Sequence, residues 1–147
     1  MTERNFTEDV KLNRLHLDTA AEAQAGLMGH YGSAVADAQR TRDEAENRLE
    51  LRSGELWIEL KSELVNGKAP TVDDLKAMVA KHPEINKLKQ ELADAGYSLK
   101  LAQAQERAIN ANKDMIETLQ RLHGASYFAT PTATGSRGSV SDLPPRS

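Results

Sequence analysis

The chain has 147 residues, with 19 Lys and Arg against 22 Asp and Glu, four His and no cysteine. One domain is the natural count for that length, and without cysteine neither a disulfide framework nor a thiolate metal site can form. Aromatic residues make up 4% and the mean hydropathy is −0.60, which excludes a thick globular core, and no apolar run reaches the ~18 residues that a membrane span requires. Taken from the start, Met1 to Phe6 is polar and carries no apolar signal segment, so a cytoplasmic protein is expected. Residues 1–17 form an arm, either extended or a short helix. Its apolar side chains Val10, Leu12, Leu15 and Leu17 fit neither the helical nor the strand period, and they predict a surface that docks on something.

Asp18 is a suitable N-cap, and the spacing predicts a long helix from there to Val65. Met28, Tyr31, Val35, Ala38, Ala45, Leu49 and Leu56 recur at steps of three and four and their multiples, so they share one seam. Arg42 and Arg52 fall in register on that seam, as Glu106 and Lys113 do on the second; such long side chains either snorkel to the edge, set register, or face a partner chain or ligand. Gly26, Gly29 and Gly32 are costly inside a helix and predict either close approach of a neighbour, a bend, or a tolerated weak spot. Asn66-Gly67 is read as the end of the helix, with Gly67 in the left-handed region, followed by the turn Lys68-Ala69-Pro70.

Thr71 and Asp74 have the spacing of a capping box and start a short helix to about Lys81, with Leu75, Met78 and Val79 on one face. Pro83 and Glu84 suit the first turn of a second long helix, which runs to His123 and stops at Gly124. Its seam is Ile85, Leu88, Leu92, Ala95, Leu99, Ala102, Ile109 and Ile116, interrupted by Glu106 and Lys113. The two long helices are about 70 and about 60 Å long at 1.5 Å per residue, close enough in length to fold back on each other. The fold class is therefore all-α: a coiled-coil-like helical hairpin over 18–124 with a short connecting helix, Trp57 packed at the hairpin end, and a tail over 125–147. The tail is rich in Ser, Thr, Gly and Pro and is expected to be disordered.

A hairpin of this kind has little room for a catalytic cleft. His16, His30, His82 and His123 are scattered without metal-ligand spacing, no phosphate-binding glycine loop is present, and neither enzyme nor cofactor is expected. Charge is uneven: 18–65 holds 10 acidic and 5 basic residues, whereas 66–124 holds 9 basic and 8 acidic. The segment from Gln103 to Lys113 is rich in Gln, Asn and cationic groups, and Lys100 and Arg107 lie seven apart on one helix face. Arg and Lys meet phosphate, and Asn and Gln meet sugar or base edges.

Three stretches in this order, WIELKSELVNG, TVDDLKAMVAKHPE and ERAINANKDMIETL, resemble the bacteriophage UvsY-type recombination mediators over Tyr31 to about Ala125. The resemblance implies a non-enzymatic protein that binds single-stranded DNA, assembles into homo-oligomers such as rings, remodels a single-strand binding protein and loads a RecA-like recombinase. Basic positions of that family map to Lys61 and Lys68, and Glu59 stands where a further basic residue occurs. Phosphate contacts are accordingly assigned to Lys61, Lys68, Lys100, Arg107 and Lys113. Contacts between subunits are assigned to Leu12, Leu15, Leu17, Arg42 and Arg52. The competing expectation is a structural or assembly coiled coil (a phage scaffold, a virion component or a helical inhibitor) that binds no DNA.

Overall fold

The computed structural model describes residues 4–125, and the tail from 126 onward, with its expected disorder, lies outside the described residues. Four helices follow one another: α1 (Phe6–Asp9), α2 (Leu17–Lys61), α3 (Val72–Lys81) and α4 (Pro83–Gly124). The two long helices pack against each other along their length, with α3 between them in the chain. They run antiparallel: Gln24 near the start of α2 meets Ile109 of α4, whereas Arg52 near its end meets Glu84 at the start of α4.

The seam is the core. Tyr31, Ala45 and Leu56 of α2 face Ile85, Ala95, Leu99, Ala102, Ile109 and Ile116 of α4, all buried. One polar side chain lies among them: Gln24 donates from Nε2 to the Ile109 carbonyl oxygen at 2.6 Å. Lys113, placed on the seam by spacing, is exposed and pairs with Glu117 at 3.6 Å. Asn112 takes the inward position instead and donates from Nδ2 to the Val10 carbonyl at 2.8 Å.

The arm docks on its own hairpin. Asn5 caps α1 by accepting from the Thr7 amide at 3.0 Å. Asp9 accepts from the Tyr31 hydroxyl at 2.9 Å, and the Phe6 ring meets Tyr31 edge to face at 5.8 Å. Burial first, and then the bond to Asp9, push the Tyr31 phenol up to about 12. Leu12 and Leu17, assigned to a subunit interface, are half-buried, while Leu15 remains 88% exposed.

Three helix ends differ from expectation. His16, not Asp18, is the N-cap of α2. Asp18 lies within the first turn, where its charge still complements the dipole. The helix stops at Lys61, before Asn66-Gly67, as the Ser62 and Glu63 amides bond three residues back to Glu59 and Leu60 and the Ser62 hydroxyl donates to the Glu59 carbonyl. Asn66 and Gly67 then form a tight turn of their own, both with positive φ (52° and 76°), and Val65 and Lys68 exchange two backbone hydrogen bonds across it. Asn-Gly is the dipeptide best suited to two successive left-handed residues. Gly124 is the last residue of α4 without a positive φ. The Thr71–Asp74 capping box forms as expected, and the Thr71 hydroxyl, followed by its amide, lowers the Asp74 carboxyl below the usual carboxylate range.

Gly26 and Gly29 have no neighbour within 4 Å of an added Cβ, and Gly32 meets only the Glu106 carboxylate at 3.6 Å. Within the chain the glycines therefore serve no close backbone approach.

Candidate nucleic-acid interface at the closed end of the hairpin

Where α2, α3 and α4 meet, an open groove of about 230 Å³ is lined by Trp57, Ser53, Lys76, Val79, Ile85 and Lys89, among others. Each helix contributes a pair one turn apart: Ser53 and Trp57 from α2, Lys76 and Ala80 from α3, Ile85 and Lys89 from α4. The apolar member explains the placement of the polar one. Burial of Leu75 and Ile85 seats α3 and the start of α4 on α2, and this orientation carries Lys76 and Lys89 to the rim beside a half-buried indole.

The arginines of α2 and the lysines of the closed end differ in their ionic partners. Every arginine of α2 is engaged: Arg40 with Glu44, Arg42 with Asp43 and Glu46, Arg48 with Glu91, and Arg52 with Glu55, Glu59 and Glu84. Arg52 is the hub. Its Nε lies 3.0 Å from a Glu84 oxygen, but no hydrogen bond forms there, so that contact is one of charge rather than of aligned donor and acceptor. Glu84, and then Glu55 and Glu59, hold this guanidinium still further above its ordinary range. By contrast, Lys61, Lys68, Lys76, Lys81, Lys87 and Lys89 make no ion pair among the described residues. All six are exposed and all lie toward the closed end. An indole beside unpaired ammonium groups is chemically suited to bases and phosphates, since an aromatic ring can stack on a base and cations can hold a phosphate backbone.

Of the five cations assigned from sequence, Lys61 and Lys68 belong to this end. Lys100 and Arg107 lie farther along α4, roughly 17–27 Å beyond Lys89 at 1.5 Å per residue. Lys113 is near the opposite end and is paired with Glu117. The five do not converge. Lys76, Lys81, Lys87 and Lys89 were missed because charge was summed over halves. The usable signal was local: Lys76 precedes the half-buried Val79 by three residues and Lys89 follows the buried Ile85 by four, which places each lysine beside an inward-facing apolar residue. Arg42 is neutralised by acids of its own helix, and Arg52 is used between α2 and α4.

A larger hollow of about 540 Å³ at the open end is lined by Arg14, His16, Asp18, Gln120 and His123, among others, and has no indole, phenol or phenyl ring. Among the described residues no three His, Asp or Glu side chains gather as metal ligands, and no helix is long and apolar enough to cross a membrane. Comparison with protein-family models, with curated proteins and with solved structures finds no match.

Proposed function

We propose that the chain binds single-stranded DNA through the closed end of its hairpin, without catalysis, as a recombination mediator. The observation that carries this reading is the groove lined by Trp57 together with Lys76 and Lys89, two exposed lysines with no acid partner among the described residues. The net charge of −3 is offset locally, because Glu55, Glu59 and Glu84 at this end are engaged by Arg52 while the lysines are not paired. The resemblance to UvsY-type mediators extends the proposal: the bound strand is handed to a RecA-like recombinase as single-strand binding protein is displaced, in the cytoplasm of the host cell.

Trp57 is the only tryptophan, so its fluorescence reports on the site directly. Titration with oligothymidylate at low salt should quench it, and log K should fall linearly with log salt, with a slope near −0.7 for each phosphate contact, about −1.4 for two. Lys76→Ala with Lys89→Ala should weaken binding equally for all sequences and reduce that slope. No quenching at low salt, or affinity indifferent to salt, would refute the assignment. A DNA-bound protein that fails to promote recombinase filaments on strands coated with single-strand binding protein would refute the mediator role alone.

A further inference from the structure

The outer face of α4, turned away from α2, carries a second apolar row. Tyr97, Leu101, Ala104, Ala108, Ala111 and Met115 follow one another at strict steps of four and three. Tyr97 is 70% exposed, Leu101 49% and Met115 47%, and Ala104 and Ala111 are exposed as well. Polar residues bound the row, with Asp94 before it and Thr118 after it. Such a repeat is the mark of a helix that packs on two sides, and within the described residues only the inner side is covered.

We infer that this row seats the same row of a second copy, antiparallel, about a two-fold axis passing between Ala104 and Ala108. The row is its own complement in that register. Tyr97 faces the second copy's Met115, Leu101 faces Ala111, and Ala104 faces Ala108, so each bulky side chain meets a smaller or flexible one and the alanines allow close approach at the centre. The flanks select the same register. In antiparallel pairing, flanking residues two positions off the core layers face each other, which sets Lys100 opposite Asp114 on both sides of the axis. Both are exposed, and neither has an ionic partner among the described residues. On the other flank, Gln105 meets Gln105.

The alternatives are poorer. A slip of one heptad brings Leu101 against Thr118 and Lys100 against Arg121. Parallel pairing would set Lys100 against Gln105 and leave both charges unmatched. One like-charge contact remains in the favoured register, Arg107 against its counterpart at the axis, and it keeps the pair exchanging rather than permanent. Pairing of this kind is independent of whether DNA binds at the closed end.

Sedimentation equilibrium of the full chain across the micromolar range tests it. The expected mass rises with concentration from 16.1 kDa toward twice that value. Ala104→Glu should hold the protein at the lower mass with its helical circular dichroism unchanged, while Ser33→Glu on the outer face of α2 should not. Lys100→Asp and Asp114→Lys should each weaken association by roughly tenfold, since each replaces two attractions with two repulsions, and the double exchange should restore it. Arg107→Gln should tighten association. A protein that stays at 16.1 kDa throughout the range, or a dimer indifferent to Ala104→Glu, would overturn the inference. A dimer that Ala104→Glu abolishes but the double charge exchange fails to restore would overturn the antiparallel register.

Discussion

Ile109 is 0% exposed in the inter-helix seam, toward its open end, and its carbonyl oxygen receives the Gln24 amide. Replacing it with alanine removes about three carbons, worth about 0.8 kcal/mol each, or about 2.4 kcal/mol of lost burial. The residual void adds to this. In a two-layer hairpin the neighbours close in more readily than in a thick core, so the total should fall near the lower end of the range for such truncations, at about 3 kcal/mol. Gln24 keeps its acceptor, because that acceptor is backbone. For a chain of this size the loss corresponds to a fall in Tm of roughly 10–15 °C. Ile58→Ala is the internal control: the residue type is the same, the side chain is 73% exposed, and the change should stay within about 0.5 kcal/mol. Urea unfolding followed by circular dichroism, at a concentration where the protein is a single species, measures both. Equal costs at the two sites would refute the assignment of the core to this one seam. A costly Ile58→Ala would point instead to cover on the outer face of α2.

Arg52→Met should lower the stability of the closed end slightly, and the difference from the native protein should shrink in 1 M salt, because the lost contacts to Glu55, Glu59 and Glu84 are partly exposed and screened. A difference unchanged by salt would mean that the aliphatic stem, rather than the charge, is what matters. Gly29→Ala should raise stability by about 1 kcal/mol, since the position is helical and an added Cβ meets nothing within 4 Å; thermal denaturation reads this, and a loss would reveal a neighbour that the isolated chain does not contain.

The hairpin was legible because its signal is periodic. Steps of three and four from Met28 to Leu56 and from Ile85 to Ile116 admit one geometry, and the Thr71–Asp74 box is a local chemical match that needs no tertiary context. Helix ends were less legible. Asn66-Gly67 has the chemistry of a helix stop and of a hairpin turn alike, and only the backbone bonds between Val65 and Lys68 distinguish them. Lys113 snorkels from the seam to solvent and pairs with Glu117, whereas the bond from Asn112 to the Val10 carbonyl, more than a hundred positions away in the chain, has no local signal. The closed-end groove was legible only in part. Trp57 was placed at the hairpin end from sequence, but its lysine neighbours come from three helices, and a tally of charge along the chain cannot bring them together.

The far end of the hairpin is held by contacts between residues 85 and 102 positions apart, whereas the ends of α2 and α4 near the turn are joined by less than half that span. Such a chain closes as a zip fastener does. Once Arg52 has found Glu84, each further layer adds only slightly to the entropy of the loop already shut, because that cost grows with the logarithm of length. Unzipping runs the other way, from the open end, where only a few layers need to part. The arm sits on that end: Val10 and Asp9 tie the first residues of the chain to Asn112 and Tyr31, one from each long helix. Residues 4–16 thus work as the clasp, placed where a two-helix rod would otherwise begin to fray.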